Sequence, residues 1–111
     1  MRIAIYARVS TERQAEEGVS LSSQVQQIET WAKTQEHIVV ETYLEKGASA
    51  TDDRRHEFQR MFQDATSPER PFNAIVVFSL SRFFRDSIAL GLYERKLARH
   101  KVKLISITQP S

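Results

Sequence analysis

An arginine and a serine two residues apart follow the first apolar run of the chain, in the stretch YARVSTERQ (residues 6–14). Arg8 and Ser10 point the same way if the strand continues through them, because side chains alternate along a strand. A serine hydroxyl can attack a phosphate, and a guanidinium binds phosphate oxygens through paired hydrogen bonds. On its own this pair is more typical of a solvated turn, so a catalytic interpretation depends on the rest of the chain.

Two further groups of serines and arginines follow the second and third apolar runs. They are Ser49, Arg54 and Arg55, and then Ser79, Ser81, Arg82 and Arg85 of the segment SLSRFFRD. Arg82 and Arg85 share a face if a helix has begun there, although either could instead form a salt bridge with Asp86 or Glu94. Guanidinium groups gathered from three segments need an anion to offset their repulsion, and phosphate fits their fork geometry best.

The elements that must position these groups alternate along the chain. The apolar pattern predicts strands at 3–7, 38–44, 74–78 and 104–107, and helices at 21–35, 58–65 and 88–97. This order predicts an α/β fold with a mostly parallel sheet of four to five strands and helices on both faces. Ser20 is the predicted N-cap of the first helix. Ligands bind beyond the carboxyl ends of parallel strands, so the three groups should meet at one edge of the sheet.

Composition and loops set limits on other kinds of function. The chain contains no cysteine, which excludes disulfides, thiolate catalysis and cysteine-bound zinc. Its three histidines lack the spacing of a metal site and are predicted to be surface residues. A formal net charge of +2 is weak support for nucleic-acid binding. The segment EKGASATDD (45–53) is predicted to be a polar, mobile loop.

No segment has the pattern of a membrane span or a signal peptide. The longest apolar run, AIVVF, is far too short to cross a bilayer, and the N-terminus enters a strand pattern at once. We therefore expect a cytoplasmic protein without a membrane partner.

Three motifs resemble those of the serine recombinases, the resolvase/invertase group. YARVSTERQ closely resembles the family's opening motif, and SLSRFFRD resembles its second motif, usually written Leu-Asp-Arg with another arginine three residues on. GVSLSSQ (18–24) before a helix resembles the large serine recombinases, which include phage integrases and transposon recombinases. The resemblance spans essentially all of residues 1–111. It implies a resolvase-like catalytic domain that stops before a long dimerisation helix and DNA-binding domains.

The resemblance implies a role for each matching residue of the cluster. Ser10 matches the nucleophile, which attacks a DNA phosphodiester and becomes linked to a 5′ phosphate. Arg8 matches an arginine that contacts the scissile phosphate. Arg55 matches an arginine of the family's Asp-Arg-Pro segment, and Arg82 and Arg85 match the paired arginines of the second motif.

Supporting positions and departures follow from the same resemblance. Gln24 matches a glutamine near the active site, and Ser49 matches a loop serine close to the phosphate. Arg54 and His56 replace the usual aspartate and proline beside Arg55, which we expect to alter only the local turn. Ser81 replaces an aspartate that normally lies among the arginines, and we expect catalysis to survive this change.

The resemblance also implies the reaction and its partners. Four subunits pair two DNA sites, each serine cuts one strand, and the strands are exchanged and rejoined. Homodimers or tetramers form in the full-length protein, which is encoded by a bacterium or a phage. Neither a metal ion nor a small-molecule cofactor is implied, because the arginines supply the charge. We expect this fragment to fold but not to recombine DNA by itself.

Two other functions stay open from the sequence. A phosphoester- or nucleotide-processing enzyme would use the same arginine cluster, although the chain has no glycine-rich phosphate loop. A non-catalytic, recombinase-like assembly domain would account for Ser81, and its function would be indifferent to Ser10→Ala.

Overall fold

Strands and helices alternate along the chain, as the sequence predicts. The computed structural model describes residues 1–9, 20–46, 56–69, 71–80 and 87–108. The strands are β1 (Arg2–Val9), β2 (Ile38–Lys46), β3 (Ala74–Val77) and β4 (Lys103–Ser106), and the helices are α1 (Leu21–Thr34), α2 (His56–Ala65) and α3 (Ser87–Arg99). All strands are parallel, in the order β2-β1-β3-β4. The predicted α/β fold with a parallel sheet is confirmed, with four strands in the described ranges.

Helices cover both faces of the sheet. Ile5 of β1 and Ile28 of α1 lie in one buried cluster, on the face that α1 covers. Tyr6 of β1, Met61 of α2 and Leu97 of α3 lie in a second cluster, on the opposite face. This layering explains why residues 3–7 of β1 form a continuous apolar run, since a strand that is buried on both sides does not alternate with polar residues.

Helices α1 and α3 end in the same kind of turn, each made by a residue in the left-handed backbone region. After α1, Glu36 has a φ of 62°, and the next backbone N–H donates to the carbonyl of Ala32 at 2.8 Å. After α3, Lys101 has a φ of 63°, and the next backbone N–H donates to the carbonyl of Leu97 at 2.9 Å. Glycine is the usual residue here because it has no Cβ, so both side chains are held at an energetic cost.

Strand β2 runs further than the sequence predicts. The predicted strand ends at Leu44, and Glu45 was expected to open a mobile loop. In the structure β2 continues through Lys46, and Glu45 is buried, with 6% of its surface exposed. The prediction was wrong because a carboxylate was assumed to stay solvated, whereas this one meets backbone donors at the start of α2. The rest of that predicted loop, residues 47–53, lies outside the described part of the chain.

Two of the three histidines are the exposed surface residues that the sequence predicts. His56 and His100 are exposed, as expected. His37 is half-buried: its ring lies 5.3 Å from the ring of Trp31, and its Nδ1 is 3.2 Å from the terminal amine of Met1. None of the helices in the described ranges is long and apolar enough to span a bilayer.

A polar cluster joins β2 to α2. The Tyr43 hydroxyl donates to Oδ2 of Asp64 at 2.6 Å, and the guanidinium of Arg60 lies 4.5 Å from the centre of the Tyr43 ring. Arg60 also pairs with Glu41 at 2.9 Å and with Glu57 at 2.8 Å. Burial, followed by the hydrogen bond to Asp64, raises the pKa of Tyr43 well above the usual tyrosine value.

The stability of the chain should therefore fall at high pH because of Tyr43. The unfolded phenol ionises near pH 10. The folded phenol stays neutral, so its contribution is complete below that pH. Above it, the contribution is lost at about 1.4 kcal/mol per pH unit. Urea unfolding measured from neutral to strongly alkaline pH should show a flatter alkaline decline for Tyr43→Phe than for the wild type. Equally steep declines would contradict this assignment.

Candidate active site at the carboxyl edge of the sheet

Arg8 is a buried arginine at the carboxyl end of β1. Only 3% of its surface is exposed. β1 lies between β2 and β3, so its end adjoins the ends of two other strands. In the strand register Arg8 is the partner of Glu45 in β2, and Tyr6 is the partner of Val77 in β3. Burying a guanidinium is costly, so an arginine at this position points to a role that requires its charge there.

Gln24 fixes the main chain at Arg8 from the α1 side of the sheet. The Gln24 side chain is fully buried, and its Nε2 donates to the carbonyl oxygen of Arg8 at 3.2 Å. Its place in the helix depends on the N-cap, where the Ser20 hydroxyl accepts a hydrogen bond from the N–H of Ser23 at 3.2 Å. The predicted N-cap is therefore confirmed, and the structure brings Gln24 into contact with Arg8.

Glu45 is a candidate that the sequence analysis missed. Its Oε1 accepts hydrogen bonds from the Phe58 N–H at 2.9 Å and the Tyr6 hydroxyl at 3.3 Å, and its Oε2 accepts one from the Glu57 N–H at 3.4 Å. These N–H groups belong to the first turn of α2, where a carboxylate is favoured by unpaired donors and by the helix dipole. One side chain therefore ties β2 to β1 and α2 beside Arg8.

A signal for Glu45 was available in the sequence. It lies two residues after Tyr43, so strand alternation places both side chains on the same face of the sheet. Tyr43 is fully buried on that face. An acidic residue in phase with a buried tyrosine, shortly before a predicted helix, indicates a capping carboxylate rather than a loop residue.

Of the other residues in the three groups, Ser79 is described and buried, with 7% of its surface exposed. The rest lie outside the described part of the chain: Ser10, Ser49, Arg54, Arg55, Ser81, Arg82 and Arg85. The described chain nevertheless shows where these segments are attached. Val9 ends β1 beside Lys46, its partner at the end of β2, and Leu80 follows β3 on the same edge of the sheet. The strands that precede the three groups are therefore neighbours and end at one edge of the sheet, while the meeting of the groups themselves stays a prediction.

The family is decided by a match over nearly the whole chain. The protein-family model described as Resolvase, N terminal domain, matches residues 3–111 of this chain. The chain belongs to the resolvase family. The resemblance to the serine recombinases is thereby confirmed.

Solved structures agree with membership of the resolvase family. The N-terminal catalytic domain of TP901-1 integrase is similar to this chain with a TM-score of 0.86 and 25% identity, covering 97% of this chain and 78% of that one. A resolvase family site-specific recombinase from Streptococcus pneumoniae has a TM-score of 0.81 and 26% identity, covering 97% and 72%. The catalytic domain of ISC1926 TnpA, an IS607-like serine recombinase, shares the fold at 23% identity, with a TM-score of 0.83 and coverage of 96% and 70%.

A phage protein is also similar to this resolvase-family chain, and its name states no activity. The uncharacterized immunity region protein 3 of Bacillus phage phi105 is 36% identical over 61 residues, which are 55% of this chain and 74% of the relative.

In this resolvase-family domain, Arg8 places a positive charge where little water reaches it. Helix α1 holds the backbone of Arg8 through Gln24, and the buried carboxylate of Glu45 lies on the same face of the sheet. A charge with little surrounding water interacts more strongly with an approaching anion because screening is weaker. It also needs little reorganisation during a reaction, which favours stabilisation of developing negative charge.

Proposed function

We propose that this chain is the catalytic unit of a serine site-specific recombinase that cuts and rejoins DNA. The observation that carries the proposal is Arg8, held buried at the carboxyl end of the central strand β1, two residues before Ser10. The similarity of this chain to an integrase and to a site-specific recombinase, each at 25% identity or more, supports the same activity.

In the proposed reaction the Ser10 hydroxyl attacks the phosphorus of a DNA phosphodiester. The bond from phosphorus to the 3′ oxygen breaks as the bond to the serine oxygen forms. The serine loses its proton, and the 3′ oxygen gains one. The 5′ phosphate is then an ester of Ser10, and the reverse attack by a 3′ hydroxyl rejoins a strand. The ester conserves the bond energy, so the cycle requires no ATP.

The arginines bind the oxygens of the phosphate under attack. Arg8, Arg55, Arg82 and Arg85 would neutralise the charge that develops on the five-coordinate phosphorus. Their fork geometry suits the equatorial oxygens better than a lysine point charge does. Ser81 stands among them in place of a carboxylate, and Ser49 lies on the segment that follows β2 as a second hydroxyl near the phosphate.

Two buried side chains act as positioning residues in this proposal. Gln24 holds the carbonyl of Arg8 and so fixes the backbone from which the guanidinium extends. Glu45 holds the first turn of α2, and Arg55 immediately precedes that helix in the chain. Loss of either contact would misplace an arginine without removing it, and small displacements are costly in such a site.

The proposed partners are two DNA sites and further copies of the catalytic unit. Two cut duplexes have to exchange strands, so each needs its own pair of nucleophiles, and four copies are required. We propose no metal ion or small-molecule cofactor for the cleavage step.

Covalent attachment to DNA tests the proposal directly. The chain would replace the matching part of TP901-1 integrase, so that the remainder of that integrase supplies assembly and recognition of its own DNA site. Cleavage would be run in EDTA, and a denaturing gel would reveal protein joined to 5′ ends. We expect an adduct with Ser10 and none with Ser10→Ala. A chimera that binds and pairs its sites without any adduct would contradict the catalytic proposal.

A further inference from the structure

Positive charge is concentrated at the end of α3 and the start of β4. The segment ERKLARHKVK (94–103) holds five of the chain's basic residues and one acidic residue, a net charge of +4 with neutral histidine. The whole chain carries only +2, so the other residues together are net acidic. Such an uneven distribution is typical of a surface that contacts a polyanion.

Three cations of this segment form a surface that we call the basic edge: Arg99, Lys101 and Lys103. All three side chains are exposed. Within the described ranges, the ion pairs are those of Arg60 on α2, and none involves the basic edge. Lys101 lies between two concave surfaces, one shared with Arg99 and the end of α2, the other shared with Lys103 and β4. The charges are therefore spread along a surface rather than gathered in one closed pocket.

Lys101 occupies a position where glycine would be more favourable. Its φ of 63° places a Cβ in the left-handed region, at an energetic cost that glycine avoids. A cation after α3 also interacts well with the helix dipole, and this accounts for part of the pattern. The dipole does not account for Lys103, which lies beyond the turn in β4. The helix dipole therefore does not account for the whole of the basic edge.

The basic edge lies at the opposite end of the sheet from the candidate active site. The Lys103 N–H donates to the carbonyl of Asn73 at 3.0 Å, and the Asn73 N–H donates to the carbonyl of Arg2 at 2.8 Å. The basic edge is therefore level with the beginning of β1. Arg8 is six residues further along that strand, about 20 Å away. The basic edge therefore lies too far from Arg8 for its side chains to contact the phosphate that Arg8 would bind.

We propose that the basic edge binds the sugar–phosphate backbone of duplex DNA, on a segment other than the one cut at Ser10. Exposed cations spread along a surface suit an extended polyanion better than a small anion. The choice of DNA as that polyanion rests on the proposed recombinase function. The contact itself needs neither Ser10 nor cleavage, so it goes beyond that function. Such a surface would hold a second duplex, or flanking DNA that bends back around the protein.

Equilibrium binding of the chain to a short labelled duplex of arbitrary sequence tests the proposal. Fluorescence anisotropy over a series of NaCl concentrations would give the affinity and its salt dependence. Lys101→Gly should weaken binding about fivefold or more at low salt and reduce the salt slope by about one. The same change should raise the melting temperature, because glycine relieves the left-handed turn. Weaker binding therefore could not be attributed to misfolding.

Two matched variants separate charge at this surface from other effects. Glu36→Gly relieves the backbone strain in the equivalent turn after α1 without removing a cation. It should raise the melting temperature without weakening binding. Lys33→Gln removes an exposed cation on the other face of the sheet, in the last turn of α1, and should change the affinity less than about twofold. The combined variant Arg99→Gln, Lys101→Gly and Lys103→Gln should lose about a hundredfold.

Three results would overturn the proposal that the basic edge binds duplex DNA. Equal losses for Lys33→Gln and Lys101→Gly would overturn the proposal, because binding would then follow total charge. No binding at low salt, or capture by anionic phosphatidylglycerol vesicles but not by duplex, would also overturn it. A chimera that makes no adduct while the chain still binds duplex through the basic edge would reject the catalytic proposal and leave this one standing.

Discussion

Replacing Arg8 with lysine is expected to slow DNA cleavage about a hundredfold or more while the fold is retained. Lysine keeps the positive charge but offers a single ammonium in place of a planar fork with several donors. If Arg8 holds two oxygens of the phosphate at once, the ammonium cannot reproduce both contacts in the transition state. Because Arg8 is buried and its backbone is held by Gln24, the substituted side chain cannot move freely to compensate.

Single-turnover formation of the 5′ adduct in the integrase chimera would measure this effect. The matched control is Arg60→Lys on α2, where the arginine forms ion pairs with Glu41 and Glu57 at a partly exposed surface. That change should alter cleavage less than about twofold, since surface ion pairs contribute little. Urea unfolding of both variants would show that the chain remains folded. A lysine variant that cleaves at the wild-type rate would mean that a point charge suffices and would refute the fork role.

The sheet and the edge that carries the candidate site could be predicted because their signals are local. A strand covered on both faces is mostly apolar, and residues 3–7 of β1 and all of β3 are continuous apolar runs. Alternating strands and helices then leave few possible topologies, and parallel strands bring their carboxyl ends to one edge. For this reason Arg8 could be assigned to that edge, and Gln24 to its vicinity by resemblance, without coordinates.

Features that depend on distant partners were not predictable in the same way. In the sequence Glu45 is marked only by its spacing from Tyr43, and the approach of the α2 N-terminus makes its burial favourable. The left-handed turn at Lys101 has no local signal, because the sequence carries no glycine or asparagine there. In both cases tertiary contacts stabilise a state that the residue type alone disfavours: burial for Glu45 and a left-handed backbone for Lys101. Such conflicts between local preference and structure tend to mark strained or functional positions.

Glu45→Ala is expected to lower the free energy of unfolding by about 3 kcal/mol, a large part of the stability of a domain of this size. The substitution removes the acceptor for the Phe58 and Glu57 N–H groups and for the Tyr6 hydroxyl. Buried donors that lose their acceptor bear the full desolvation cost. Glu45→Gln should lose only about 1 kcal/mol, because its amide oxygen still accepts from Phe58 while the interaction of the charge with the helix dipole is lost.

Urea unfolding at neutral pH would rank these variants against Glu57→Gln. Glu57 is a carboxylate of the same helix turn, but its side chain is 32% exposed and pairs with Arg60, so its loss should amount to less than about 0.5 kcal/mol. In the cleavage assay, at temperatures where each variant is folded, Glu45→Ala should also slow adduct formation about tenfold, because the start of α2 would no longer fix the preceding Arg55. Glu45→Gln should restore most of that rate. If Glu45→Ala were no less stable than Glu57→Gln, the tie between β2 and α2 would not position the site.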